Sequence, residues 1–360
     1  MELADLGWNP FFEQQFAELA GQSLVPARVG REHKHIYALY TEEGELSGEV
    51  SGKFRHDARS RDGFPTVGDW VAVSARLEEG KATIHVLLER KSKFSRKMAG
   101  NNTGEQVVAA NVDTIFLVSG LDGDFNLRRV ERYVTLAWDS GAKPVIVLNK
   151  ADLCDNISER LAQVESVAFG VPVLPVSAEN NTGMEAFDEY LQEGKTIAFL
   201  GSSGVGKSSI VNRLVGTERQ HVKEVREDDS RGRHTTTYRE LIPLPNGALV
   251  IDTPGMRELQ MWTDEGGLEH SFSDIHELAE HCRFGDCSHQ REPGCSVREA
   301  IENGELDHKR FKGYLKLQRE VKRLERRQSQ LGRQQERAEG KKFGKMVKRM
   351  TKNHHKRLQG

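Results

Sequence analysis

No apolar run in this chain approaches the ~20 residues that a membrane-spanning helix needs. Hydrophobic residues make up 37% of the 360, and mean hydropathy is −0.60. The first residues, Met1-Glu2-Leu3-Ala4-Asp5, form neither a basic n-region nor an apolar h-region, so secretion is not expected. Cysteine is scarce, with four residues, three of them within fourteen positions. That suits a metal site in a reducing compartment better than a disulfide framework. No internal repeat is present. The expectation is a cytoplasmic chain of two or three domains, monomeric and without a membrane partner. Net charge is nearly absent as well, with 52 basic residues against 54 acidic. The balance is local, however: Asp307 to Gly360 holds 19 basic and 5 acidic residues, and the preceding 306 hold 33 and 49. A polyanion would meet two different surfaces.

Trp8, Phe11, Phe12, Phe16 and Leu19 share one helical face, read either as a short helix packed on its own domain or as a partner-binding helix. Five β-like runs follow, at Leu24–Val29, His35–Tyr40, Leu46–Ser51, Trp70–Ala75 and Thr83–Leu88, separated by turn residues. Five strands in about seventy residues predict a small barrel of the oligonucleotide-binding (OB) type. Its longest connection interleaves Lys53, Arg55, His56, Arg59 and Arg61 with Phe54 and Phe64. Such a loop can contact an RNA strand through phosphates and base stacking, or can be an ordinary solvated surface. Lys91–Lys97 reads as a basic linker.

Beyond it, apolar runs at Thr114–Val118, Pro144–Leu148, Val173–Val176, Thr196–Leu200 and Ala248–Ile251 alternate with helical stretches such as Leu127–Ser140 and Ile157–Phe169. This predicts an α/β domain with a buried parallel sheet, whose ligands sit at the carboxyl ends of the strands. Gly201-Ser202-Ser203-Gly204-Val205-Gly206-Lys207-Ser208 follows one such strand and opens a helix at Ser209, the context of a phosphate-binding P-loop. Lys207 is expected to reach the β- and γ-phosphates and Ser208 to hold Mg²⁺. Asn149-Lys150-Ala151-Asp152 selects guanine, because an Asp carboxylate accepts from N1–H and the exocyclic amine and adenine offers no such pair. Ser177-Ala178 is a further guanine-contact element, and Asp252-Thr253-Pro254-Gly255 has the D-x-x-G form, with Asp252 toward Mg²⁺ and Gly255 toward the γ-phosphate. In most GTPases the P-loop comes first. Here N-K-x-D and S-A precede it, so the domain is circularly permuted, at little physical cost.

Switch I is expected around Arg231–Thr237, with Thr236 as its Mg²⁺ ligand. Met256 occupies the place of the usual water-orienting Gln, and a thioether cannot orient water. His234 is the substitute candidate, the alternative being a switch residue that touches only solvent or partner. Cys282, Cys287, His289 and Cys295 form a C-x4-C-x-H-x5-C set that suits one closed, structural Zn²⁺. Cys154 reads as an ordinary free thiol. A helical stretch after Leu306 to about Arg327 leads into the basic end Lys341–Arg357, read as a salt-sensitive RNA anchor or as a solubilising tail. The expected divisions are 1–90 (barrel), 91–265 (GTPase), 266–311 (zinc-binding, α-rich) and 312–360 (basic tail).

This arrangement resembles the bacterial small-ribosomal-subunit biogenesis GTPases of the RsgA (YjeQ) family. The resemblance rests on Asn149–Asp152, Gly201–Ser208, Gly232-Arg233-His234-Thr235-Thr236-Thr237, Asp252–Gly255 and the cysteine cluster, and covers roughly Ser23 to Phe311. It implies GTP hydrolysis stimulated by the 30S particle, binding to 16S rRNA near the decoding region, and release from the subunit late in its maturation. A GTP-gated RNA-binding protein with incidental hydrolysis, or a GTPase serving another ribonucleoprotein, are the alternatives.

Overall fold

The computed structural model describes residues 2–19, 21–33, 35–58, 61–97, 105–216, 239–252, 268–269 and 271–328. Five strands, β1 (Val25–His33), β2 (Ile36–Thr41), β3 (Gly44–Val50), β4 (Trp70–Arg76) and β5 (Lys81–Leu87), pair in the order β1-β2-β3-β5-β4. Strand β1 also pairs with β4, which closes the barrel. Alternation puts Tyr37, Leu39, Leu46 and Val50 inside with Val71, Val73 and Ile84. Gly48 lies opposite Tyr37, where a Cβ would stand 2.3 Å from the buried Leu39 side chain, so any larger residue would force Leu39 to shift.

Helix α1 (Pro10–Ala17) starts at Asn9, whose side chain accepts from the Phe11 N–H, with proline in its first turn. Its aromatic face packs on the barrel: Trp8 meets Trp70 edge-on at 4.7 Å, and Phe12 is buried beside Leu88. That is the own-domain reading of this helix. Part of the long connection forms a short helix, α2 (Gly52–Asp57), capped by Ser51. Phe54 and Phe64 turn inward against the barrel core, their rings 6.0 Å apart, while Lys53, Arg55 and His56 stay exposed. Lys53, Arg55 and His56 are thus set apart from the two rings, and Arg59 lies outside the described residues.

Lys91–Lys97 is not a linker. All but its first two residues form β6 (Lys93–Lys97), paired antiparallel with β7 (Glu105–Ala110), because Phe94 is buried with Val108 and Ala109. The central sheet then comprises β8 (Thr114–Gly120), β9 (Lys143–Asn149), β10 (Val173–Pro175), β11 (Thr196–Gly201), β12 (Glu240–Pro243) and β13 (Leu249–Asp252), in the order β10-β9-β8-β11-β13-β12. All neighbours are parallel except β12, which runs against β13 and also pairs with β1 through Arg31 and Glu240. Every residue of β8 is buried, as expected for a strand covered on both faces. Ile115 and Leu117 face one layer, and Phe116 and Val118 the other with Phe187, Phe199 and Ile210.

Helix α3 (Leu127–Ser140) has the expected bounds, while α4 (Ile157–Glu165) stops short of Phe169, whose neighbour Gly170 is left-handed and is followed closely by Pro172. Helix α5 (Lys207–Val215) follows β11. At the C-terminal end, α6 (Ser273–Glu280), α7 (Ser296–Glu302) and α8 (His308–Gln328) pack on the Ile115 face of the sheet. The expected division at 311/312 falls inside α8, because Phe311, Tyr314, Leu317 and Val321 continue one apolar stripe into the same core.

Candidate nucleotide-binding site and metal cluster

Three sequence motifs meet at the carboxyl ends of β9, β10 and β11. Asn149, the last residue of β9, is buried; its Nδ2 donates to the Val205 carbonyl at 2.8 Å, and its Oδ1 accepts from the Ala178 N–H at 3.1 Å. One amide thus joins N-K-x-D, the P-loop and S-A. Gly206 (φ +94°) passes so close that a Cβ would sit 2.1 Å from the Asn149 Nδ2. Ser177, buried, donates from Oγ to the exposed Asp152 carboxylate at 2.5 Å, leaving that carboxylate oriented by its neighbour. Lys150 has a left-handed backbone (φ +64°), and Ala151 closes on Val176 through its N–H.

The loop Gly201–Gly206 runs from β11 into α5, with Gly204 (φ +79°) also left-handed. Ser203 and Gly204 are exposed, as is Ser209 in the first turn of α5; Val205 is buried and Ser208 half-buried. The Lys207 ammonium arches back over the loop, donating to the Gly201 and Ser202 carbonyls at 2.6 Å each. Asp252 ends β13, the strand parallel and adjacent to β11, two positions past the Ile197–Val250 pair. His234, Thr236, Gly255 and Met256 lie outside the described residues.

Two acidic residues that the motifs did not single out border this site. The Asp122 Oδ2 accepts from the Lys150 ammonium at 2.6 Å, and Asp124 accepts from the Ser202 Oγ at 2.7 Å. The Lys150 hydrogen bond holds Asp122 below the usual carboxylate range; Ser202 and then Arg129 do the same for Asp124. The only signal in the sequence is their place, just past the carboxyl end of β8. Arg213, also overlooked, donates to the Ala178 and Glu179 carbonyls.

Between α6 and α7, the Cys282, Cys287 and Cys295 Sγ atoms and a ring nitrogen of His289 lie within 4.8 Å of one another. The Cys282 and Cys295 Sγ atoms are each 3.5 Å from the His289 Nδ1, and 3.9 Å from each other. Tetrahedral zinc with bonds of about 2.3 Å to sulfur and 2.0 Å to nitrogen demands edges of about 3.5–3.8 Å. The donor set suits zinc, and the separations among Cys282, Cys295 and His289 match those edges. Burial pushes the Cys295 thiol up to about 11, whereas backbone N–H groups of Val297 and Ser296 hold Cys282 below its usual value against the cost of desolvation. The exposed Glu292 carboxylate, pulled down to about 2 by the Ser288 hydroxyl and then the Arg291 N–H, ties the knuckle's turn together. Cys154 is half-buried against the core and is no part of the cluster.

Residues 87–262 match the family described as RsgA GTPase. The Small ribosomal subunit biogenesis GTPase RsgA of Opitutus terrae is 48% identical over 329 residues, covering 89% of this chain and 90% of that protein. YjeQ from Thermotoga maritima superimposes with a TM-score of 0.62 at 29% identity, over 83% of this chain and 98% of that one. YloQ, described as a circularly permuted GTPase, gives 0.60 at 27% identity, over 83% and 95%. The order of the motifs along the chain agrees with that description. The chain belongs to the RsgA family of circularly permuted GTPases, enzymes that hydrolyse GTP.

Proposed function

We propose that this GTPase acts in late maturation of the small ribosomal subunit: its GTP form engages the 30S particle and 16S rRNA, and hydrolysis releases it. The observation that carries the nucleotide part is the double hydrogen bond of Asn149 to the P-loop and to Ala178, which joins three motifs into one pocket. The names borne by the relatives, at 48% identity in the case cited, support the ribosomal part. A small-subunit role makes the site of action cytoplasmic.

In this reading the carboxylate of Asp152 accepts from the guanine edge, with Ser177 orienting it and Ala178 beside it. Backbone N–H groups of Gly201–Lys207 and the start of α5 receive the phosphates, and Lys207 spans the β- and γ-phosphates. Ser208 and Asp252, with Thr236 from switch I, are hard oxygen donors of the kind Mg²⁺ takes. Bound there, Mg²⁺ would supply positive charge that offsets the negative charge of the phosphates. Water attacks the γ-phosphorus in line, the bond to the β–γ bridging oxygen breaks, and GDP leaves. His234 orients that water, since Met256 cannot, and the ribosome brings His234 into place. Zn²⁺ on Cys282, Cys287, His289 and Cys295 has a structural role. The exposed Lys53 and Arg55 and the basic C-terminal end supply phosphate contacts, with His56 beside them.

The test is single-turnover GTP cleavage by the whole chain alone, with 30S particles and with 50S particles. The expected result is slow cleavage alone, strong acceleration by 30S and little by 50S. Equal rates in all three would leave a GTP-gated RNA-binding protein in which hydrolysis is incidental.

A further inference from the structure

The loop that follows β8 carries two carboxylates, and each grips a different motif of the nucleotide pocket. Asp122 holds the ammonium of Lys150, the lysine of N-K-x-D, at 2.6 Å; Asp124 holds Ser202, the second residue of the P-loop, at 2.7 Å. Both are anchored from behind. The Asp122 Oδ1 accepts from the Asp124 N–H at 3.0 Å, and Asp124 is gripped by both terminal nitrogens of Arg129 at 3.0 Å. The Leu121 N–H donates to the Asn149 carbonyl at 2.8 Å, which fixes the loop to the end of β9. The Asp122 carboxylate also lies close over Gly120, where a Cβ would stand 2.7 Å from its Oδ1.

Lys150 stands between Asn149, committed to the P-loop, and Asp152, oriented by Ser177. A lysine there has two usable parts, a charged head and an apolar four-carbon stem. Left alone, the head would be free to swing, and ordering it would cost side-chain entropy each time nucleotide bound. Paired with Asp122, the head is neutralised and already ordered, and the stem becomes a fixed apolar wall beside the base-recognition carboxylate. We propose that Asp122 is a positioning residue for guanine-nucleotide binding, acting through Lys150. This rests on the assignment of Asp152 and the P-loop to GTP given above.

The test is a double-mutant cycle on the full chain, read as affinity for a fluorescent GDP analogue. Asp122→Ala should weaken binding about tenfold, the scale of one charge-assisted hydrogen bond, and Asp122→Asn less. Lys150→Ala should weaken binding at least as much, and the double variant should be no weaker than Lys150→Ala alone. In turnover, Asp122→Ala should raise KM for GTP far more than it lowers kcat. A loss that adds to that of Lys150→Ala, or GDP affinity equal to wild type, would overturn the proposal. Asp152→Asn separates the two levels of the argument, because it should exchange guanine for xanthine nucleotide. If it does not, the pocket assignment fails; if it does while Asp122→Ala binds normally, only the positioning role fails.

Discussion

A side-chain amide carries donors and an acceptor on one plane, and Asn149 spends both on neighbouring motifs rather than on solvent. Arg310 plays the same joining part with charge. Its guanidinium, 8% exposed, pairs with Asp274 at 2.6 and 2.7 Å and with Glu131 of α3 at 3.3 Å, and lies over the Phe272 ring at 4.8 Å. Burial raises the Glu131 pKa, and the nearby Arg310 charge opposes that rise. Arg310→Met should therefore cost about 3 kcal/mol, because it strands the buried Glu131 carboxylate, and the half-buried Asp274, without their cation. Adding Glu131→Gln should recover part of the loss, since a neutral amide is cheaper to bury than an unpaired carboxylate. Urea unfolding of the three variants checks both statements; equal midpoints would show the network to be energetically idle.

Among the elements, the segment 282–295 has almost no regular structure of its own and little apolar area, so a metal is its natural source of folding free energy. It is not isolated, however. Cys282 and Cys287 pack on the same core as α6, α7 and the Ile115 face of the sheet. Cys287→Ser should lose bound zinc and expose the 282–295 amides to hydrogen exchange, with a fall in melting temperature that the knuckle alone would not cause. The opposite face of the sheet, with Phe116, Phe199 and Ile210, should keep its protection, because none of those residues touches the C-terminal helices' core. Metal analysis and exchange mapping test this together. Substoichiometric zinc in metal-replete wild type would remove the site.

For the molecule as a whole, permutation changes what lies next to what. The strand β13 that ends in Asp252 is joined through residues 253–267 to the C-terminal helices, so in the proposed function the D-x-x-G segment is covalently linked to them. At the other end, the barrel is riveted to the sheet by Arg28. Fully buried, with its pKa lowered to about 10 by desolvation, it donates to carbonyls of Leu6, Gly68 and Asn111 and to the Thr196 Oγ1 at 2.8 Å. Thr196 begins β11, the strand that ends in the P-loop. In the function proposed above, barrel, sheet and C-terminal helices meet a ribosomal particle together, and Met256 in the place of the usual Gln leaves water orientation to that encounter. On saturating 30S, His234→Ala should slow single-turnover cleavage by about 100-fold, the scale of one lost general base, while the variant still sediments with the particle. Cleavage as fast as wild type would transfer the role to the ribosome or another switch residue.

Local information was enough for much of this. The five barrel strands and the parallel strands follow from short-range periodicity, and the P-loop, N-K-x-D and Cys-His motifs are contiguous or nearly so; the family followed from their order. What only the tertiary structure decided involves partners far apart in the chain. Lys150 meets Asp122 across 28 residues, Ser202 meets Asp124 across 78, Arg28 meets Thr196 across 168 and Arg310 meets Glu131 across 179. The same holds for the turning inward of Phe54 and Phe64, the pairing of Lys93–Lys97 as β6, and the continuation of the core into α8. A side chain's type and spacing limit what it can do. Which buried partner satisfies its charge or hydrogen bond is set when distant segments are packed together, and no local pattern encodes that choice.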